Sequence, residues 1–341
     1  MPRFRLGVLD QSPIGEGRSP ADAVAATLAL ARRAEALGYS RYWLAEHHAS
    51  ESFAGTCPEI MIARIAAETR SLRVGSGGVM LMHRSALVVA EQFRMLETLH
   101  PGRVDLGIGR APGINPALVN ALSPNGAPAD LAQDLFESKL DHLVTYLRGE
   151  AVQPATIAMP RGDGMPELWM LGSGTTSAAF AARLGWSFCF AQFLGHSSGE
   201  SVVDAYREAF RPSPWLAEPR VAVAAFVLVA EDDERAEYLI RSAEQRFLEL
   251  QRGRRIAFPS PQTTRAHLSS PDDDATRQRL RALRIHGTPE RVQRRLDLLA
   301  RRYATNEFLI MTVTHDPEDR LRSYELLAEL ADLEPPRPRS P

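Results

Sequence analysis

With 341 residues and 44% hydrophobic content the chain can bury a large core, which fits one β/α barrel with insertions or two ordinary domains. Forty basic residues against 42 acidic ones leave a formal charge of −2 with no long single-sign run, so nucleic acid and anionic membrane are poor partners. No apolar run reaches the roughly 18–20 residues that cross a bilayer, and Met1-Pro2-Arg3-Phe4-Arg5 passes directly into a strand pattern, so a cytoplasmic protein is expected. The two cysteines, Cys57 and Cys189, lack metal-type spacing; both are expected to be buried, with no disulfide framework and no zinc site. Lys139 is the only lysine among the forty basic residues, an imbalance that reflects codon bias better than a binding role.

A first strand is expected at 6–9. Ser19-Pro20-Ala21-Asp22 then supplies an N-cap, a proline at the first helical position and a carboxylate at the third, opening a helix that Gly38 stops. Three apolar runs follow, each ending in a cluster of glycines or reactive side chains. The run 42–45 meets Glu46-His47-His48, the run 72–79 contains Gly75-Ser76-Gly77-Gly78, and the run 104–108 meets Gly107-Ile108-Gly109-Arg110. Further strands are expected at 168–171, 187–191, 221–229 and 307–313, which makes eight. Helical patterns separate them, so the fold class is an α/β (β/α)8 TIM barrel with loop insertions at its C-terminal face. Residues 1–333 form the single domain and 334–341 a disordered tail. Two stretches, 111–130 and 251–277, look irregular, and the second is a candidate lid.

Chemistry gathers at the strand ends, where a barrel of this kind carries its active site. In Glu46-His47-His48 adjacent residues of an extended chain face opposite ways, so one histidine lines the site and the other supports it, unless both are a satisfied structural pair. Gly75-Ser76-Gly77-Gly78 leaves bare backbone for a flat ligand, or marks a bulge. Gly107-Ile108-Gly109-Arg110 is too short for a dinucleotide fingerprint but ends in a cation suited to phosphate. Leu171-Gly172-Ser173-Gly174-Thr175-Thr176-Ser177 leads into a helix expected at 178–184, and small residues at a helix N-terminus suit an anion. Together with Arg110 they read as a split phosphate site. His47, His83, His196 and His315 also fall at strand ends, as in a metallohydrolase barrel, but the carboxylates and paired-histidine spacing such a site needs are missing. No metal is expected.

Leu9-Asp10-Gln11-Ser12-Pro13, the segment Tyr42 through His48, Val74-Gly75-Ser76-Gly77-Gly78-Val79-Met80-Leu81, His100-Pro101-Gly102-Arg103 through Gly113, and Arg322-Ser323-Tyr324-Glu325-Leu326-Leu327 resemble the bacterial luciferase-like flavin monooxygenases. The resemblance covers nearly the whole chain. It implies an enzyme that takes reduced FMN (FMNH2) from a separate NAD(P)H-dependent flavin reductase by diffusive transfer and uses O2 through a flavin C4a-hydroperoxide. Such an enzyme hydroxylates or epoxidises a small organic substrate, here in secondary-metabolite (antibiotic) biosynthesis. Alternatives on the same barrel are an F420-dependent hydride-transfer enzyme and a non-catalytic flavin-binding paralogue. The resemblance also implies roles: Arg110 on the FMN phosphate with Ser173, Gly174 and Ser177, His47 beside the flavin with Glu46 and His48 supporting it, and a cis peptide at Gly77-Gly78. The sequence departs from the family at Met82-His83-Arg84-Ser85-Ala86 and Gln192-Phe193, and Gly109 stands where luciferases carry a reactive cysteine. A homodimer is expected through helices 56–70 and 86–99, with Ile60, Ile62, Ile65, Val88, Val89 and Phe93 supplying apolar surface.

Overall fold

The computed structural model describes residues 3–110, 116–123, 132–195, 199–264 and 271–335. His196, parts of the two irregular stretches and most of the expected tail lie outside the described residues. The strands are β1 (Arg5–Asp10), β2 (Arg41–Leu44), β3 (Arg73–Ser76), β4 (Val79–Met80), β5 (Val104–Gly109), β6 (Glu167–Gly172), β7 (Ser187–Ala191), β8 (Val221–Val229), β9 (Ile285–Gly287) and β10 (Glu307–Met311). The helices are α1 (Pro20–Ala36), α2 (Pro58–Glu68), α3 (Ala86–Leu99), α4 (Pro116–Leu122), α5 (Ala132–Leu147), α6 (Thr175–Leu184), α7 (Gly199–Ala209), α8 (Asp233–Gln251), α9 (Pro261–Thr264), α10 (Pro271–Leu283), α11 (Pro289–Tyr303) and α12 (Pro317–Leu330). All pairings between these strands are parallel, in the order β10-β1-β2-β3-β5-β6-β7-β8, and β8 pairs back to β10 to close a (β/α)8 barrel.

β8 shows why these sequences make barrel strands. Every residue of Val221–Val229 is buried: the odd positions pack outward with the helices, while Ala222, Ala224, Phe226 and Leu228 point into the barrel. The same alternation sends Leu9, Trp43, Trp169, Cys189, Leu309 and Met311 inward. Below this apolar layer, at the N-terminal ends of the strands, inward positions are charged. Arg41 Nη1 lies 2.5 Å from Asp105 Oδ2, Arg220 Nη1 3.0 Å from Glu167 Oε2 and Arg220 Nη2 2.9 Å from Glu307 Oε1. Trp43 Nε1 donates to Asp105 at 2.8 Å, and Arg41 sits 4.9 Å over the Trp169 ring. Gly7 makes this plug possible, since a Cβ there would lie 2.5 Å from Arg41 Cγ. Removing one member would leave a buried charge uncompensated, so this end of the barrel serves stability and leaves the opposite end for chemistry.

Local signals match where they are strong. Asp22 N donates to Ser19 Oγ at 3.2 Å and Ser19 N to Asp22 Oδ2 at 2.8 Å, the reciprocal cap expected of α1, and Gly38 takes φ +89° just beyond it. Four expectations need correction. The run 72–79 is two strands, β3 and β4, separated by a cis Gly77-Gly78 peptide. α6 starts at Thr175, three residues early, because Gly174 serves as its N-cap. Helices α4 and α10 occupy parts of the stretches read as irregular; Asp272-Asp273-Asp274 forms the acidic first turn of α10, where carboxylates favour a helix start. Cys57 is exposed, because it precedes Pro58 at the mouth of α2 rather than packing within a layer, whereas Cys189 is buried inside the barrel.

α2 and α3 turn most of their expected apolar surface inward: Ile62, Ile65, Val89 and Phe93 are buried against the barrel. Ile60, Val88, Met95 and Leu99 are left outside, Ile60 being 69% and Leu99 57% exposed. Among the described residues no helix is long and apolar enough to cross a membrane.

Candidate active site

The C-terminal ends of the strands carry two zones. The first follows β2. Glu46 is a buried carboxylate whose Oε2 accepts from Met80 N at 2.8 Å, while Oε1 lies 2.8 Å from His48 Nε2 and 3.3 Å from Arg84 Nη1. Arg84 also reaches Glu59 at 2.5 Å. His47 turns the other way and stacks on Phe53, ring centroids 4.4 Å apart, with its backbone N–H bonded to Gly55 O at 2.8 Å. The two side chains turn apart, as extended backbone requires, but both histidines line the same cavity, and Glu46 bonds to His48 and not to His47. What holds His47 is the Phe53 ring and its own backbone. Its Nδ1 is buried without a hydrogen-bond partner. Burial, then Arg246 and His48, pushes its pKa from 6.5 to about 4, so the imidazole is neutral at physiological pH.

All three residues line a cavity of about 520 Å³ whose walls are mainly apolar, with Phe53, Phe193, Phe226 and Phe258 prominent and Arg246 and Arg284 among them. Sequence reasoning missed both arginines. Arg246 belongs to α8 and Arg284 directly follows α10, far along the chain, and nothing in their local sequence separates them from the other arginines. It also missed Lys139, whose Nζ donates to the carbonyls of Leu81, Met82 and Arg84 at 3.3, 2.6 and 2.9 Å. Three donors on one compact ammonium secure the 81–84 turn that presents Arg84 to Glu46. A single lysine among forty basic residues was the available signal.

The second zone lies between β5 and β6. These strands pair with Gly109 opposite Leu171, so the chain leaves them side by side as Arg110 and Gly172-Ser173-Gly174. Arg110 is exposed and has no ion-pair partner among the described residues. No side chain caps the first turn of α6 at Gly174, and a Cβ placed there would meet nothing within 4 Å. Ser177 is buried beneath, packed so that a Cβ on Gly172 would sit 2.4 Å from its Oγ. Gly77 and Gly78 are required by close packing: added Cβ atoms would fall 2.6 Å from Leu9 Cδ1 and 2.8 Å from Gly107 O. None of Gly77, Gly78, Arg110, Ser173, Gly174 or Ser177 lines the 520 Å³ cavity, so the expected site residues divide between that cavity and the β5–β6 corner. His83 Nδ1 pairs with Ser123 Oγ at 3.0 Å and His315 Nε2 with Glu16 O at 3.1 Å, each away from the His47 cavity.

The family model of luciferase-like monooxygenases matches residues 4–306. An N-acetyl-S-alkylcysteine monooxygenase of Bacillus subtilis (strain 168) is 37% identical over 333 residues, covering 96% of this chain and 98% of that protein. The solved structure of apo-MsnO8 is similar at TM-score 0.90 and 38% identity, over 98% of this chain and 100% of that one. The oxygenating constituent of 3,6-diketocamphane monooxygenase from the CAM plasmid of Pseudomonas putida, solved with FMN, shares the fold at TM-score 0.71 and 18% identity, over 97% and 98% of the two chains. Barrel, strand-end histidines and these likenesses agree: the chain belongs to the luciferase-like monooxygenase family and is a flavin-dependent monooxygenase.

Proposed function

We propose that the protein is the oxygenase component of a two-component system that takes FMN in reduced form from a separate NAD(P)H-dependent reductase and oxygenates a small organic substrate with O2, by hydroxylation or epoxidation. The cytoplasm is the compartment this reading assigns, and a homodimer through α2 and α3 the assembly. The carrying observation is the bare first turn of α6 beside Arg110. The uncapped first turn of a ten-residue helix, its positive end, and a guanidinium without an ion-pair partner among the described residues make a phosphate site. FMN bound to the diketocamphane enzyme supports the choice of cofactor. Reduced flavin, when bound, supplies the electrons that activate O2.

The remaining work falls to the chain's own residues. Arg110 and the α6 N-terminus would hold the phosphate, with Ser173 and Gly174 at its edge and Ser177 beneath. Gly77 and Gly78 keep the β3–β4 backbone close against β5, which leaves room at the mouth for a flat ring. The neutral His47, with Nδ1 unpaired in an apolar cavity, is placed to donate or accept a proton from an occupant. Glu46 and His48 hold the 46–48 turn to β4, and the phenyl walls exclude water from the reaction.

Titration with FMN, reduced FMN and F420, followed by oxygen uptake with reduced flavin, tests this. Reduced FMN should bind in the micromolar range or tighter and consume O2 faster with substrate. Arg110→Ala should weaken that binding by about 1.5–3 kcal/mol, the value of a charge-assisted contact. Preference for F420, or unchanged FMN affinity in Arg110→Ala, would overturn the assignment.

A further inference from the structure

Three guanidinium groups line the His47 cavity, Arg246, Arg255 and Arg284; Arg255 is exposed and donates to Ala49 O at 3.0 Å, and among the described residues neither Arg246 nor Arg284 forms an ion pair with a carboxylate. Arg284 lines the cavity with its Nη1 buried and unbonded, and among the described residues its guanidinium makes no hydrogen bond or ion pair. It lies 5.0 Å over the ring of Phe226, whose side chain points into the barrel. Glu244, the carboxylate whose charge acts on it, is already held by Arg281 at 2.6 and 3.2 Å. Arg246 stands close enough to repel Arg284. Its Nε donates to Ser52 Oγ at 3.0 Å, and its guanidinium covers Phe53 at 5.0 Å and Phe258 at 5.6 Å, so its contacts are neutral ones. Among the described residues the one carboxylate in the cavity wall, Glu46, is committed to His48, Arg84 and the Met80 amide.

Arg284 is half-buried with its Nη1 out of reach of water, and a cation so placed without a counter-charge is unfavourable: such a group usually neutralises, finds a partner or waits for a ligand. Arginine does not give up its proton near neutral pH. A planar guanidinium in an apolar pocket is instead well matched to a carboxylate, which it can grip through two parallel hydrogen bonds. The flavin phosphate is not the natural occupant, because the free α6 N-terminus and Arg110 lie at the β5–β6 corner. Arg284 stands over β8, two strands further round the barrel.

We propose that Arg284, with Arg246 beside it, anchors the carboxylate of the organic substrate, so that this oxygenase acts on carboxylic acids carrying an apolar body that packs against Phe53, Phe226 and Phe258. The inference rests on the oxygenase reading above for the word substrate, but the anion site itself stands on the cavity alone.

The test separates the two. Full-length protein without flavin is titrated by calorimetry and ligand-observed NMR with arylalkyl acids, phenylbutyrate and benzylthioacetate, each paired with its primary amide. FMN binding is measured in parallel. Wild-type protein should bind the acids about tenfold or more tighter than the amides, as loss of a charge-assisted contact implies. In Arg284→Met the pair should become equal within about twofold, Arg284→Lys should keep part of the preference, and FMN affinity should be unchanged in both. Equal binding of acids and amides by the wild type, no acid binding at millimolar concentration, or an undiminished preference in Arg284→Met would overturn the proposal. Loss of FMN rather than acid affinity in Arg284→Met would also overturn it and give the guanidinium to the flavin phosphate. A protein that binds acids as expected but no flavin would retain the anchor and lose the oxygenase reading.

Discussion

Arg284→Met should make the ligand-free protein more stable. Burial lowers the Arg284 pKa from the ordinary guanidinium range to about 10, with Glu244 opposing the shift and Arg246 and Arg281 adding to it. A folded-state pKa below the unfolded value means that folding disfavours the charged form. The penalty is present in full below about pH 10 and fades as pH rises towards the ordinary guanidinium range, so at neutral pH the side chain weakens the fold. At ~1.4 kcal/mol per pKa unit the penalty is about 3 kcal/mol. Methionine keeps most of the apolar stem against Phe226 and loses the cation–π contact, worth about 1 kcal/mol. The net expectation is a gain of about 1–2 kcal/mol, or roughly 2–4 °C in thermal midpoint for a chain of this size. Urea unfolding followed by tryptophan fluorescence, at neutral pH and without ligand, measures it. A variant that loses more than about 1 kcal/mol would refute the reasoning, since it would mean that the guanidinium satisfies the protein rather than a ligand.

Three further outcomes follow from particular contacts. The His47 pKa, lowered from 6.5 to about 4, lies below its unfolded value, so stability is complete above pH 6.5 and falls by up to about 3 kcal/mol as pH drops through 4; His47→Gln should flatten that part of the pH–stability curve, and an unchanged slope would show that other groups govern it. Lys139→Met should cost about 1–3 kcal/mol by leaving the carbonyls of Leu81, Met82 and Arg84 without their donor, read in the same unfolding assay; Lys139→Arg should not restore it, because a planar fork cannot meet three converging carbonyls. If α2 and α3 form the dimer surface, light scattering at low micromolar protein should give twice the chain mass, and Ile60→Asp with Val88→Asp should give a monomer of unchanged stability. A wild-type monomer that persists on concentration would count against that face.

How much was legible in the sequence follows from where each property resides. Strands buried on both faces must be apolar throughout, so Val221–Val229 announces itself, whereas Ile285–Gly287 is three residues long and gains its strand identity only from lying beside β8. The break of 72–79 at Gly77-Gly78 could be read as a glycine run but not from hydrophobicity, because what forbids side chains there is the approach of Leu9 and of the Gly107 carbonyl. Glu46, His47 and His48 were visible because reactive residues ended an apolar run. Which of them pair was only half visible, since alternation separates His47 from its neighbours while the choice of Phe53 as its support depends on a turn six residues on.

Arg246 and Arg284 mark the boundary of what sequence periodicity can carry. On α8, Arg246 is one of many polar positions of a surface helix, and Arg284 follows α10 as an unremarked basic residue. Their distinction is negative: each faces a cavity, and among the described residues neither meets a carboxylate, whereas Arg281 has found Glu244 and Arg252 has found Asp273. An absence of partner is a property of the folded surroundings and leaves no trace in local spacing. The composition does leave one. A chain with nearly equal acidic and basic counts can pair most of its charges, so a half-buried guanidinium left over in an apolar cavity is not forced by a shortage of carboxylates. It is kept unpaired by position, and in a cavity shared with an unpaired His47 Nδ1 that position is the argument for an anionic substrate.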